Sequence, residues 1–266
     1  MDGERNENRK ENPRRPKERS LINKTAGCMK RKAQRIRDIE LNFQIMNCQS
    51  LKMKLGSLAD NFIMNKCAFI LTNETWFKKG DKQLKSMLTR LEDEHSISCI
   101  RKDRKLKNGL AHGGVAVFYD TDRCSFKKLN LNALRGDARD FEILPVRGNL
   151  KGVQRELVIF SCYLPPKINK TGMDRLLESL TDAISEAKAK VDNPWVVVAG
   201  DWNRYKTDLI STMFPDLTVY PTDPTRGTAT LDYSFTNFND LTTRAEVSFP
   251  VQSNHSKSDH GIVNYT

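Results

Sequence analysis

Apolar and polar positions along this chain fall into short blocks with abrupt polar ends. "LNFQIMN" (41–47) alternates with the period of a strand. After Ser50, the residues Leu55, Leu58, Ala59, Phe62 and Ile63 recur at helical spacing. "CAFILTN" is a short apolar strand that runs into "ETW". Leu84, Met87, Leu88 and Leu91 mark one face of a second helix. "HSISCIR" and "GGVAVFYD" read as strands joined by a basic loop, "KDRKLKNGLAH", and "FEILPVRG" and "RELVIFSCYLPP" read as a strand pair. From Thr171 to Val191 the spacing of Met173, Leu176, Leu177, Leu180, Ile184 and Ala187 predicts an amphipathic helix, with Thr171 three residues before Asp174 as its capping signal. Trp195 to Ala199 has no polar break, the mark of a strand buried on both faces. "TATLDYSFTN", "RAEVSFPV" and "HGIVNYT" complete the series as short strands. Strands and helices alternate early and strands cluster late, which predicts mixed sheets with helices outside, in one domain over 39–266.

Residues 1–38 lack this patterning. They hold almost no large apolar groups and cannot offset the entropy of ordering, so they read as a disordered basic tail. "MKRKAQRIR" within it fits a nuclear-localisation or nucleic-acid patch. The formal net charge is +11, of which residues 1–40 supply +6, so the charge points to a polyanionic partner. None of the six cysteines pairs as C-x-x-C, which argues against a zinc site and for buried thiols in a reduced compartment. No apolar run approaches the ~20 residues that span a bilayer, so no membrane partner is expected.

The informative feature is what stands at the strand ends, where α/β sheets gather their ligands. Asn47 closes "IMN", Glu74 follows "ILTN", Tyr163 closes "FSCY", and Asp201 and Asn203 follow "VVVAG". Asp232 lies in "ATLDYSFTN", and Asp259 and His260 lie in "KSDHGIV". Read as extended chain, Asp201 and Asn203 project to one side. Asp201 suits a general base that orients and deprotonates a water. Oxygen ligands such as Glu74, Asn47 and Asp259 suit a hard cation, Mg²⁺ or Mn²⁺ in its place.

The ordered series Asn47, "ETWF", "CYLPP", "GDWN", "LD" and "SDH" resembles the endonuclease/exonuclease/phosphatase superfamily over residues 41–266. Within it, "HGGVAVFYD" and "PTRGTATLDYSFTN" are most similar to the apurinic-type endonuclease domain of non-LTR (LINE-type) retrotransposons. The resemblance implies a four-layer α/β sandwich, with two mixed β-sheets packed face to face and helices outside. It implies a metal-dependent endonuclease that nicks double-stranded DNA and leaves a 3′-hydroxyl to prime reverse transcription. His260 would contact the phosphate and be held by Asp232, while Asn203 and Tyr163 donate to phosphate oxygens. Thr225 and Ser258 match positioning or phosphate-contacting hydroxyls. Such domains open polyproteins, so element RNA and a reverse transcriptase domain are implied partners, with action on chromosomal DNA in the nucleus.

Two departures refine this reading. Cellular repair members commonly carry an acid two residues after the first Asn, where this chain has Gln49. "GDWNR" is also similar to a motif of inositol polyphosphate 5-phosphatases, the alternative enzyme reading, but "GTATLDYSFTN" lacks the Trp and Cys those enzymes carry there. A catalytically inactive binding module on the same fold is the alternative of another class. For gripping DNA the basic loop offers Arg101, Lys102, Arg104, Lys105 and Lys107, and Arg204, Lys206 and Arg226 flank the site. Only residues 226–231 separate Thr225 from Asp232, too few for a long target-selecting hairpin, so modest sequence specificity is expected.

Overall fold

Some strands of this chain end, and their antiparallel neighbours start, at one common edge, and the order of elements explains why. The computed structural model describes residues 41–104, 113–134, 140–203, 207–220, 222–238, 245–248 and 260–266. The expected tail, Lys105, Lys107, Arg204, Lys206, Ser258 and Asp259 lie outside them. In chain order come β1 (Phe43–Asn47), α1 (Leu55–Asn65), β2 (Phe69–Asn73), α2 (Lys82–His95), β3 (Ile97–Lys102), β4 (Val115–Asp120) and β5 (Cys124–Lys128). Then follow β6 (Glu142–Leu150), β7 (Leu157–Tyr163), α3 (Lys170–Lys190), β8 (Trp195–Asp201), α4 (Thr207–Met213), β9 (Thr218–Tyr220), β10 (Asp232–Thr236), β11 (Ala245–Ser248) and β12 (Ile262–Tyr265). Among the described residues these strands make two six-stranded mixed sheets, ordered β11-β12-β1-β2-β4-β3 and β5-β6-β7-β8-β10-β9. The sheets pack face to face and the long helices cover their outer faces, the α/β sandwich expected.

Local signals set the helices. Asp81 caps α2 by accepting from the Leu84 amide at 3.0 Å, and Ser96 ends it in the left-handed region. The cap of α3 is Asn169, whose side chain accepts from the Gly172 amide at 2.8 Å, so Thr171 lies inside the first turn instead of capping it. Asn caps at least as well as Thr and takes the position nearer the preceding loop. Three elements escaped the sequence pattern. β5 is an edge strand that buries only alternate residues, β9 spans three residues and α4 seven, each too short or too mixed to show a period. Asp232 was expected to close a strand but opens β10, because β10 runs antiparallel to β8.

The alternation along each strand divides three apolar layers. Ile45, Leu71, Val117, Leu144, Ile159, Val197 and Val263 point between the sheets. Phe160, Val198 and Phe235 point outward to α3, and Ile70 and Phe118 point outward to α1 and α2. Burying such side chains contributes about 1.5–3 kcal/mol each, so these layers hold the sandwich together. At one edge the inward alternation continues but its chemistry changes. Glu142, Tyr163, Asp201 and Asp232 stand in register across β6, β7, β8 and β10. Asn47 and Asn73 stand in register on β1 and β2, with Lys102 at the end of β3. The inter-sheet core therefore has a polar rim.

Gly200 fixes the height of that rim. Its φ is +149°, and a Cβ there would lie 1.9 Å from the Cys162 carbonyl oxygen on β7. Gly200→Ala is expected to lower the unfolding free energy by about 3 kcal/mol or more through clash and backbone strain. Urea denaturation followed by circular dichroism reads this as a fall in midpoint. An unchanged midpoint would mean that β7 and β8 separate there without cost.

Candidate functional site

β7 and β8 are parallel and their in-register ends, Tyr163 and Asp201, stand side by side. Asp201 is wholly buried. Its Oδ2 accepts from Asn47 Nδ2 at 2.7 Å, and its Oδ1 accepts from the Asn203 amide at 2.9 Å. Burial pushes the Asp201 carboxyl up to about 7, and the neighbouring Asp232 charge adds to this; His260, the Asn203 amide and Asn47 oppose it. The Asp201–Asn203 stretch is not extended throughout. Asn203 has φ +50°, and its Nδ2 donates to the Leu164 carbonyl at 2.5 Å, which anchors the turn after the strand. Trp202 between them is buried and packs edge-on against Phe235 at 5.4 Å.

Across the sheet Asp232 Oδ2 lies 3.0 Å from His260 Nδ1, and both side chains are buried. Asp232 Oδ1 is buried and has no hydrogen-bond partner among the described residues. Thr225 is buried as well; its hydroxyl accepts from the Leu231 amide at 2.9 Å and its carbonyl accepts from the Gly261 amide at 2.6 Å. It ties the loop before Asp232 to the residue after His260, a positioning role.

The other sheet supplies Glu74 and Asn47. Glu74 has φ +53°, an uncommon conformation for a non-glycine residue that turns the chain out of β2. Its Oε1 accepts from Asn47 Nδ2 at 3.1 Å and from the Tyr163 hydroxyl at 3.2 Å. The amide nitrogen of Asn47 bridges Glu74 and Asp201, while its Oδ1 accepts from the Gln49 amide at 3.3 Å. Two facing carboxylates require a donor between them. Tyr163 likewise donates to Glu74. Burial first, then the Glu74 and Asp201 charges, pushes the Tyr163 hydroxyl well above its ordinary value, so it stays a donor.

Asp201, Asp232 and His260 bring one ligating atom each within 4.8 Å of one another. With Glu74 opposite and Asp232 Oδ1 unpartnered, this oxygen-rich set fits a hard divalent cation. The described part of the basic loop is committed internally. The Arg101 guanidinium lies 5.5 Å from the Phe77 ring centre and 3.5 Å from Asp103, and Arg104 lies 3.4 Å from Glu142. Arg226 is exposed in the loop that Thr225 anchors.

Sequence reasoning missed Glu142. Its Oε2 accepts from the Gly114 amide at 2.7 Å, and burial raises its carboxyl above the usual range. The Gly113–Gly114 pair, at φ +105° and +91°, makes the tight entry into β4 that this bond holds. The available signal was an acid opening an apolar run at "FEIL", since an antiparallel strand begins where its neighbours end.

No protein-family model and no curated protein matches the sequence. Solved structures do match the fold. A 3′ phosphatase, NExo, from Neisseria, bound to a product DNA hairpin, aligns with a TM-score of 0.62 at 12% identity over 85% of this chain and 99% of its own. The chain has the endonuclease/exonuclease/phosphatase fold. The endonuclease domain of TRAS1, a telomere-specific non-LTR retrotransposon, shares it with a TM-score of 0.55 at 16% identity, over 85% of this chain and 97% of that one. A mannosyl-6-phosphatase from Bacteroides thetaiotaomicron shares it with a TM-score of 0.61 at 15% identity, over 85% and 99%.

Glu142→Leu is expected to strand the buried Gly114 amide and cost about 1–3 kcal/mol. Glu142→Gln keeps an acceptor and should cost less than about 1 kcal/mol. Paired denaturant titrations compare the two; equal losses would show that the Gly114 bond is not what Glu142 contributes.

Proposed function

We propose that this endonuclease/exonuclease/phosphatase-fold chain is a divalent-metal-dependent hydrolase of phosphodiesters that nicks double-stranded DNA and leaves a 3′-hydroxyl. The observation that carries the reading is the buried Asp201–Asp232–His260 cluster set against Glu74, with Asn47 between the carboxylates. Glu74, with the Asp232 and Asp201 carboxylates nearby, would hold Mg²⁺, or Mn²⁺ in its place. Such a cation, when bound, neutralises charge on a phosphate and stabilises the leaving oxygen.

The chain's own residues do the rest. Asp201 takes the proton of the attacking water, and the Asn47 and Asn203 donors keep its carboxylate in one orientation. Asp232 holds His260 through Nδ1, so any contact of the imidazole with a phosphate goes through Nε2. A donor at that nitrogen would stabilise charge as it builds on phosphorus. Asn203 is fixed by Leu164 and retains a second amide hydrogen for a phosphate oxygen.

DNA as the substrate is supported by the motif series "GDWN", "LD" and "SDH", by the net charge of +11, and by the fold shared with a DNA-bound phosphatase and a retrotransposon endonuclease domain. Following the second of these, the 3′-hydroxyl would prime reverse transcription of a non-LTR element, with element RNA and a reverse transcriptase domain as partners and nuclear DNA as target. The sugar phosphatase among the structural neighbours keeps phosphomonoester hydrolysis as the rival chemistry.

A supercoiled-plasmid assay decides between them. Wild type with Mg²⁺ is expected to give open circles, and EDTA, Asp201→Ala and His260→Ala should each abolish them. An intact plasmid with phosphate release from sugar or inositol phosphates would install the phosphatase reading instead. Tyr163→Phe removes a donor to Glu74 and is expected to raise the Mg²⁺ concentration for half-maximal nicking about tenfold or more. An unchanged Mg²⁺ dependence would show that Glu74 needs no such support.

A further inference from the structure

Resting on the nuclease reading, we propose that the first half of α2 and the loop before it form a second DNA contact surface, which grips backbone phosphates away from the cut. Lys78, Lys79, Lys82 and Lys85 are all exposed. None of the four ammonium groups has a hydrogen-bond or ion-pair partner among the described residues, whereas nearby Lys52 is paired with Asp81 at 2.9 Å. The acids of α2, Glu92, Asp93 and Glu94, all lie at its other end. Asp81 caps the N-terminal end, but Lys82 and Lys85 beside it stand where a helix dipole disfavours cations. In the last turn of α3, where the dipole favours cations, Lys188 and Lys190 are each paired, with Asp216 and Glu186. The lysines of α2 are therefore left without partners among the described residues, at the helix end where the dipole gives them no support.

Topology and shape say what they face. β2 and β3 run in the same direction with α2 between them, so the lysine end of α2 lies at the edge where β2 delivers Glu74. Lys78 follows Glu74 by four residues, which limits their Cα separation to about 14 Å. A groove of about 300 Å³ runs between α2 and β3, with Lys82, Lys85, Thr89, Ser98 and Arg101 among its lining residues. A second, of about 410 Å³, continues over Lys82, Lys85 and Arg90. Asp81 and Glu92 border the first and Asp93 the second; Asp81 is neutralised by Lys52. Duplex DNA carries one charge per about 1.7 Å of axis, so a strand seated at Glu74 brings further phosphates over this surface.

The test compares two variants of equal charge change. Lys82→Gln/Lys85→Gln alters the proposed surface, and Lys66→Gln/Lys151→Gln alters exposed lysines at the opposite edge of the sheets. Binding of a labelled duplex is followed by anisotropy in EDTA between about 50 and about 200 mM salt, with plasmid nicking in Mg²⁺ measured in parallel. The α2 variant is expected to show a salt slope shallower by about 2, weaker binding at low salt, and wild-type nicking at saturating DNA. The control is expected to match wild type throughout. A wild-type slope and affinity for the α2 variant, or equal losses in the control, would overturn the surface while leaving the nuclease reading intact. A wild type that neither binds nor nicks would count against that reading, and against the surface with it.

Discussion

Two sheets packed face to face must end somewhere, and at that edge each inward side chain meets both the opposite sheet and solvent. In the interior the inward positions are apolar, and burial there gives cohesion without direction. At the edge the same positions are Glu142, Tyr163, Asp201, Asp232, Asn47, Asn73 and Lys102. Their bonds cross between sheets. Asn47 reaches Asp201, Tyr163 reaches Glu74, Asn73 donates to the Cys162 carbonyl at 2.5 Å, and Lys102 donates to the Ile143 carbonyl at 3.4 Å. These bonds fix the lateral register of one sheet on the other, which a greasy interface alone leaves soft. The rim that aligns the sandwich is also the candidate site.

That dual role concentrates negative charge where water is scarce. Glu142 and Asp201 are pushed toward the neutral form by burial, and Asp232 stands beside Asp201. Protein donors offset part of this: Asn47 serves two acids with one amide, the Gly114 amide serves Glu142, and His260 serves one oxygen of Asp232. The other Asp232 oxygen receives nothing from the described residues. A buried carboxylate oxygen left in this state costs stability. A set of acids that the fold does not neutralise by itself is a set prepared for a cation.

Much of this was legible in the sequence, for a definite reason. Parallel strands end together at the ligand edge, so a polar residue directly after an apolar run, such as Glu74 or Asp201, announces itself. Residues on antiparallel strands obey the same geometry in reverse. Asp232 opens β10 and Glu142 opens β6, and only pairing with β8 and β7 shows that these starts share an edge with those ends. Sequence reasoning caught Asp232 through its motif and missed Glu142, which has none. Bond partners were less visible than positions. Asn47, Tyr163 and Asn203 were placed correctly at strand ends, but each donates to the protein, and periodicity carries no information about which lone pair lies within 3 Å. The short edge strands and α4 were missed because few of their residues meet a core.

The rim defines chemistry but does not choose a substrate. The same fold serves a DNA-bound 3′ phosphatase, a retrotransposon endonuclease domain and a sugar phosphatase, so discrimination must come from what surrounds the rim. Here the surroundings are unequal. On the Asp232 side only residues 226–231 intervene after Thr225, and Thr225 pins that loop to Gly261. On the Glu74 side an unpaired lysine face continues from the rim along α2. An enzyme that grips mainly through phosphates reads groove width and flexibility better than base identity. Under the nuclease reading proposed above, the lysine flank suits a polymeric substrate, because a small sugar phosphate has no second phosphate to lay across α2.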